Sequence, residues 1–247
     1  MTEQRKEHNE NAVHQQGGFL IKYQKYLGEF VYGGIDGSVT TFAIVAGSVG
    51  ADLSASVVLI LGFANLLADG FSMSVGAFLS AKSERQNFEK HKAIEYWEVE
   101  NIPETEREEI REIYRQKGFQ GELLEKVVDV ICAKKDVWVD TMMKEELEMM
   151  KNQKSPLKIG SVTYISFLLV GLIPLVVYVW DYLFGFSGDV FWTTCGLTGL
   201  GFMTIGYLKS FVTETNQWKS MLETLLLGAI AASVAYYVGD ILEKMII

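Results

Sequence analysis

The sequence contains few of the residues from which disulfide frameworks, thiolate metal sites and catalytic centres are usually built. Its two cysteines, Cys132 and Cys195, stand far apart and form no C-x-x-C pair, so neither a disulfide framework nor a thiolate site is expected. None of the three histidines, His8, His14 and His91, follows a glutamate by three residues, which disfavours a di-iron carboxylate enzyme with E-x-x-H pairs. The motifs GxxxxGK[ST], GxGxxG and GxSxG are also missing, which argues against an ATP-driven pump and the common soluble enzymes. We therefore expect a protein that is not an enzyme and has no prosthetic group.

What the chain does have is an uneven distribution of charge. Of its 247 residues 49% are hydrophobic, yet the net charge is −9. Residues 81–156 hold most of the ionisable side chains, whereas 31–80 and 157–247 hold few. This segregation is typical of membrane segments interrupted by one aqueous domain. The polar N-terminus has no apolar stretch, so no cleavable signal peptide is predicted, and no nucleic-acid partner is expected.

Five stretches are long and apolar enough to cross a lipid bilayer as helices, which takes about 20 mostly apolar residues each. The sequence therefore predicts an all-α polytopic membrane protein with five transmembrane helices and a cytoplasmic helical domain inserted between the second and third. The predicted spans are 31–51, 55–80, 157–180, 190–212 and 221–243. The predicted domains are a cytoplasmic N-terminal segment (1–30, in which 19–30 can form an interfacial helix), transmembrane helices 1–2 (31–80), an acidic metal-binding domain (81–156) and transmembrane helices 3–5 (157–247).

Helix signals also run through the charged segment. Residues 81–101 are predicted to continue the second span into water as one long helix. Pro103 is expected to start the next helix and Gly118 to end it, in keeping with the preference for proline at the first turn and glycine after the last. Gly121 and Asp136 mark two further starts.

The basic residues predict the orientation in the membrane. If the five spans alternate, 21 of the 22 Lys and Arg residues fall on one side and only Lys244 on the other. Because basic loops stay in the cytoplasm, the N-terminus and residues 81–156 are predicted to be cytoplasmic and the C-terminus outside or lumenal. Without a targeting signal, the membrane is predicted to be the plasma (inner) membrane of a bacterium or a vacuolar or other organellar membrane of a eukaryote.

Four residues of the first two predicted spans are candidate ligands for a cation. Asp36 lies in the first span, and Asn65, Asp69 and Met73 follow one another at i, i+4 and i+8 in the second, so they line one helix face. Ionisable side chains at membrane depth are costly and usually functional. A stripe of amide, carboxylate and thioether suits a dehydrated cation, so we predict that these residues line a transport pathway. The alternative is that Asp36 and Asp69 pair with polar groups only to hold helices together.

The neighbourhood of Asp36 predicts how the helices meet. Gly33 and Gly37 form a small-xxx-small face suited to close helix contact. At a rise of 1.5 Å per residue, Asp36 lies roughly 8 Å, Met73 roughly 10 Å and Asp69 roughly 16 Å from the cytoplasmic ends of their spans. Asp36 and Met73 are therefore at depths that allow them to share one site.

Glutamates and methionines recur at helical spacing in the charged segment: two Glu pairs at i, i+3 and a Met–Glu pair at i, i+4. Carboxylate oxygens with soft thioether sulfur nearby favour first-row transition metals over magnesium or calcium. Composition alone favours a solvated acidic face. The residues are Glu95 and Glu98, Glu106 and Glu109, and Met142, Met143 and Glu146. Along one helix, Glu95 lies about 39 Å from Asp69, so the two metal sites would be successive stations.

The runs GGIDGSVTTFAIVAG (33–47) and NLLADGFSMSVGAFLSAKSERQ (65–86), followed by a Glu-rich helical insert and three more spans, resemble the vacuolar iron transporter family. The resemblance covers nearly the whole chain from about residue 27. It implies a homodimer that moves Fe²⁺, and often Mn²⁺, out of the cytoplasm in exchange for protons along the dimer interface. It further implies a membrane metal site at Asp36 and Met73, and a cytoplasmic metal-binding domain formed by the seven glutamates and methionines named above.

Two other functions stay open, although the second would explain the glutamates and not Asp36 and Asp69. A divalent-metal channel would pass the ion without proton counterflow, and a membrane-anchored metal-binding or storage scaffold would bind ions without moving them. Exchange for protons has a simple physical basis, because a metal ion and a proton compete for the same carboxylate oxygens. We therefore predict that Asp36→Asn abolishes coupled transport.

Overall fold

The computed structural model describes residues 25–246, so most of the predicted N-terminal segment and its interfacial helix at 19–30 lies outside the described residues. Within 25–246 the chain forms nine α-helices and no strand, which confirms the predicted all-α class. The helices are α1 (Leu27–Gly50), α2 (Ala55–Asn101), α3 (Pro103–Gln116), α4 (Gly121–Cys132), α5 (Lys135–Glu145), α6 (Pro156–Gly171), α7 (Ile173–Phe184), α8 (Val190–Thr213) and α9 (Gln217–Ile246).

The chain divides into two compact units that share the long helix α2. The first, here called the membrane unit, contains the described residues up to Phe78 and those from Pro156 onward. The second, here called the acidic unit, is Leu79–Ser155. Because α2 is unbroken from Ala55 to Asn101, the predicted continuation of the second span into the charged segment is confirmed.

Several helices of the membrane unit have the length and composition of membrane spans. Helices α1, α2 and α9 meet that description individually, and α6 with α7 meets it as a pair bent by 49°. The continuous helix predicted for 157–180 is therefore wrong, since the chain breaks between Gly171 and Ile173. Pro174 explains the break, because it has no N–H to donate to the carbonyl of Val170 and so cannot continue the helix.

Helix α1 lies at the centre of the membrane unit and packs against α6, α8 and α9. Its glycines allow α6 to come close: a methyl group added at Gly37 would overlap the carbonyl oxygen of Phe167. One added at Gly33 would lie 2.6 Å from the carbonyl oxygen of Thr163. The close helix contact predicted for Gly33 and Gly37 is thus confirmed, and larger side chains at either position would push α6 away.

The acidic unit has its own hydrophobic core, formed by α2, α3, α4 and α5. Ion pairs on its surface join α3 to α4: Arg107 pairs with Asp129, and the Arg111 Nε donates to Glu125 Oε1 at 2.8 Å. Gly118, with φ +97°, follows the end of α3 in the left-handed conformation that favours glycine. The fully buried core residues include Ile110, Val128, Val139, Met142 and Met143.

Candidate metal centre

Three glutamates of the acidic unit bring their carboxylates together. Glu95 and Glu98 project from α2 and Glu106 from the first turn of α3. One oxygen of each lies within 4.8 Å of the others. Because metal–oxygen bonds are about 2.0–2.6 Å long, oxygens at such separations can surround one divalent ion. The structure therefore brings Glu106, from the second predicted pair, to both members of the first.

Two of these carboxylates are buried without a partner. Glu95 is 4% exposed and Glu106 3% exposed. The Oε2 atom of each is buried and accepts no hydrogen bond from any described residue. An ionised carboxylate buried in this way is unstable unless a cation accompanies it. Each of the two must therefore hold a proton or contact a metal ion.

Burial and mutual repulsion make these carboxylates hold protons near neutral pH. Burial, followed by the charges of Glu146, Glu98 and Glu109, raises the pKa of Glu95 to about 7. Burial and then Glu109, with smaller effects of the other three glutamates, raises the pKa of Glu106 to about 8. Partial burial and the charge of Glu98 also raise the pKa of Glu109. The protons are thus held by oxygens that a divalent ion could take over.

The remaining glutamates of the acidic unit behave differently, because most of them pair with a cation. The pairs are Glu89–Lys151, Glu100–Lys135, Glu108 and Glu125 with Arg111, Glu112–Arg115, Glu122–Lys126 and Glu145–Lys117. By contrast, none of the five predicted site glutamates (Glu95, Glu98, Glu106, Glu109 and Glu146) has an ion pair within residues 25–246. A solvated acidic face accounts for the paired glutamates and for the exposed Glu146, but not for Glu95 and Glu106, which are buried.

The predicted methionines and Glu146 lie on and just after α5. Met142 is fully buried and Met143 is 2% exposed, and both belong to the hydrophobic core of the acidic unit. Glu146 follows the last residue of α5 and is exposed, and its charge acts on Glu95. The structure therefore places the sulfur atoms and the carboxylates in one unit, with the thioethers in its apolar interior.

Sequence reasoning did not identify Trp138, which stands one turn before Met142 on α5. Its side chain is 7% exposed, and its indole N–H is buried without a hydrogen-bond partner among the described residues. The i, i+4 spacing from Met142 was the available signal. A buried, unpaired N–H is costly in a core, so Trp138 is, after Glu95 and Glu106, a third buried group of this unit that lacks a partner among the described residues.

The four predicted pathway residues lie on two helices of the membrane unit. Asp36 is on α1, and Asn65, Asp69 and Met73 share one face of α2; all four are partly buried. The carboxylates of Asp36 and Asp69 lie close enough for their charges to interact. The Nδ2 atom of Asn65 is buried without a partner among the described residues, and Met73 packs against the core that contains Phe167.

Comparison with known proteins assigns the chain to a family. Residues 27–240 match the sequence profile of the VIT family. The chain is 40% identical over 228 residues to a vacuolar iron transporter of Toxoplasma gondii, covering 90% of this chain and 76% of that protein. It is 34% identical over 209 residues to vacuolar iron transporter 1 of Eucalyptus grandis, with coverages of 84% and 83%. Identity to the vacuolar iron transporter of Plasmodium falciparum is 32% over 230 residues, with coverages of 89% and 83%.

These three relatives are named as transporters, which confirms the expectation that the chain is not an enzyme. The agreement extends over most of each protein and includes both the membrane unit and the acidic unit. It also confirms the resemblance seen in the sequence motifs. The chain belongs to the VIT family.

Proposed function

We propose that this protein exports Fe²⁺ from the cytoplasm across a membrane in exchange for protons, and that it also carries Mn²⁺. The observation that carries the proposal is the group of five glutamates without ion pairs in a unit where most other glutamates are paired. Such a group needs compensation by protons or by a divalent cation. The names of the relatives identify iron as the cargo of those proteins, and the matches cover 90% and 84% of this chain.

The acidic unit is the proposed receiving site for the metal. Glu95, Glu98 and Glu106 supply hard oxygen ligands, and Glu109 and Glu146 add charge around them. The methionines Met142 and Met143 are the proposed thioether ligands, which would favour iron over magnesium and calcium. The metal ion binds here as cargo, not as a resident cofactor.

The proposed path through the membrane uses Asp36, Asn65, Asp69 and Met73. Asp36 is the proposed exchange residue, since an aspartate can hold either a proton or a metal ion, but not both. Its charge acts on that of Asp69, so a cation that contacts one carboxylate also relieves the repulsion between the two. Asn65 and Met73 would add neutral ligands along the same face of α2.

The proposed assembly is a homodimer with five spans in each protomer, with α8 as the fourth span and the acidic unit in the cytoplasm. The proposed dimer contact is the face of α2 along which Phe63, Leu67 and Phe71 are exposed at i, i+4 and i+8. The C-terminus would then lie outside the cell or in the lumen of an organelle. Cross-linking of the protein in native membranes would test the dimer independently of transport.

Transport itself is best tested in liposomes that contain the full-length protein. Fe²⁺ uptake and lumenal pH are followed together, with and without an imposed proton gradient. Uptake that needs the gradient and dissipates it is the expected result. Asp36→Asn is expected to abolish this coupled uptake, because an amide cannot cycle between protonated and charged forms.

Asp52→Asn is the matched control, because Asp52 lies in the turn after α1 in a left-handed conformation that asparagine adopts readily. This control variant is expected to transport as the unsubstituted protein does. Uptake that ignores the proton gradient would indicate a channel, and metal binding without uptake would indicate a scaffold. Either outcome would overturn the proposed exchange.

A further inference from the structure

Three buried threonine hydroxyls in the membrane unit have no hydrogen-bond partner among the described residues. They belong to Thr41 on α1 and to Thr194 and Thr198 on α8. Thr41 and Thr194 are 0% exposed and Thr198 is 1% exposed. A hydroxyl that is buried without a partner destabilises a protein. Three such groups on two packed helices call for an explanation.

Other helical threonines of the same unit satisfy their hydroxyls within their own helix. Thr40 donates to the carbonyl of Asp36 at 2.8 Å, and Thr163 donates to Ile159 at 2.9 Å. Thr224 donates to Ser220 at 2.9 Å. This bond to the carbonyl four residues back is the usual solution for threonine in a helix. Since Thr41, Thr194 and Thr198 do not make it, their hydroxyls remain available to another ligand.

Two contacts show how α1 packs against α8. A methyl group added at Gly34 would lie 3.0 Å from Ile205 Cδ1, and the rings of Phe42 and Phe202 are 6.1 Å apart. Residue numbers thus rise along α1 as they fall along α8, so the helices are antiparallel. Thr41 lies seven residues after Gly34, and Thr198 lies seven residues before Ile205. Seven residues are about two helical turns or 10 Å, so each threonine lies on the same helix face as the residue from which it is counted. Thr194 lies one further turn along α8.

We propose that the hydroxyls of Thr41, Thr194 and Thr198 bind water at the contact between α1 and α8. A buried water typically makes two to four hydrogen bonds, and each hydroxyl can both donate and accept one. One water that forms hydrogen bonds with the hydroxyls of Thr41, Thr198 and Thr194 would satisfy all three groups.

The chemistry of the site favours water over a cation. The three side chains are neutral, and a dehydrated cation in an apolar interior needs negative charge beside it. Asp36 does not supply that charge, because it stands two residues after Gly34 and thus about 200° around α1 from the face that meets α8. The proposed water site is therefore separate from the metal path, on the opposite side of the same helix.

Replacement of threonine by valine tests the proposal, because it removes the hydroxyl and keeps the shape. If water is bound, Thr41→Val and Thr198→Val each leave it with fewer partners, and each lowers the melting temperature of the full-length protein in lipid nanodiscs by roughly 2–4 °C. The double variant loses less than the sum of the two, because both hydroxyls share one water. Thr224→Val is the control: it is equally buried, but its hydroxyl serves only its own helix, so its melting temperature changes less.

The opposite result would show that the hydroxyls are dry. Without water they are destabilising, so Thr41→Val and Thr198→Val would raise the melting temperature, and their effects would add. Thr198→Ser keeps the hydroxyl and is expected to have a higher melting temperature than Thr198→Val. It also provides a test if the Thr198→Val variant does not fold. Exchange of sodium chloride for choline chloride separates water from a cation. If the melting temperature depends on sodium in the unsubstituted protein but not in Thr198→Val, the ligand is sodium and not water. This result would overturn the proposal.

Discussion

Metal binding to the acidic unit is predicted to be strongly dependent on pH, because the metal must displace protons from Glu95 and Glu106. The pKa of Glu95 is about 7 and that of Glu106 about 8. At pH 7, Glu106 is therefore only about 10% ionised and Glu95 about half ionised. A divalent ion that takes over both carboxylates at this pH releases roughly 1.4 protons.

The size of the effect follows from the two pKa values. With the carboxylates taken as independent, protonation weakens binding about 2-fold at pH 8 and about 1,000-fold at pH 6. The dissociation constant is thus expected to rise about 500-fold between pH 8 and pH 6. Carboxylates with the usual pKa of 4.5 would give almost no change over the same range. The prediction therefore distinguishes a buried proton-holding cluster from a solvated acidic face.

Isothermal titration calorimetry with Mn²⁺, which is stable in air, measures both quantities on the full-length protein in detergent. Titrations at pH 6, 7 and 8 give the affinity, and buffers with different ionisation enthalpies give the number of protons released. The Asp36→Asn background removes the proposed membrane site from the signal. Glu106→Gln is expected to reduce the affinity change between pH 8 and pH 6 to about 10-fold, because only Glu95 still titrates there.

Glu122→Gln provides the control, since Glu122 is exposed and pairs with Lys126 on its own helix. This variant should bind metal with the unaltered pH dependence. An affinity that changes less than about 10-fold between pH 8 and pH 6 would refute the reasoning. Metal binding at pH 7 without proton release would refute it as well, whatever the affinity.

Three further predictions concern stability and selectivity. The pKa of Glu106 is higher in the folded than in the unfolded chain, so the stability of the metal-free protein falls as pH rises from about 4.5 to about 8. Glu106→Gln should therefore raise the melting temperature at pH 8 and change it little at pH 5. Gly37→Leu should lower the yield of folded protein by size-exclusion chromatography, because the backbone of Phe167 occupies that space, whereas Gly76→Leu, with nothing within 4 Å, should not. Met142→Leu should keep the melting temperature within a few degrees but weaken Co²⁺ binding more than Mn²⁺ binding in calorimetry, since it removes a soft ligand.

Local signals in the sequence were sufficient to predict most helix boundaries. Apolar length predicted α1 and the membrane part of α2, and Pro103 and Gly118 bracket α3 as proline and glycine usually do. The break after Gly171 could not be predicted in the same way. Proline is tolerated inside membrane helices when neighbouring groups satisfy the freed carbonyl, so Pro174 alone did not distinguish a kink from a break.

The metal centre shows a sharper limit of sequence reasoning. The i, i+3 spacing placed Glu95 with Glu98 and Glu106 with Glu109, because such pairs depend only on helix geometry. It could not show that α2 and α3 bring the two pairs together, since that depends on the packed core of the acidic unit. Nor could it separate site glutamates from surface glutamates, because their partners come from elsewhere in the chain. Glu125, for example, is neutralised by Arg111 from another helix.

That distribution of partners gives the acidic unit its chemistry. Arg107 and Arg111 of α3 form ion pairs with Asp129 and Glu125 of α4. These two arginines are therefore not available to neutralise Glu106 or Glu109 on their own helix. Neutralising the surface carboxylates within the chain and leaving the clustered ones unpaired concentrates negative charge at one place. Burial then makes that charge too costly to stand alone near neutral pH. The cluster can be compensated only by a proton or by a cation from solution, and the competition between the two makes its occupancy respond to both metal concentration and pH.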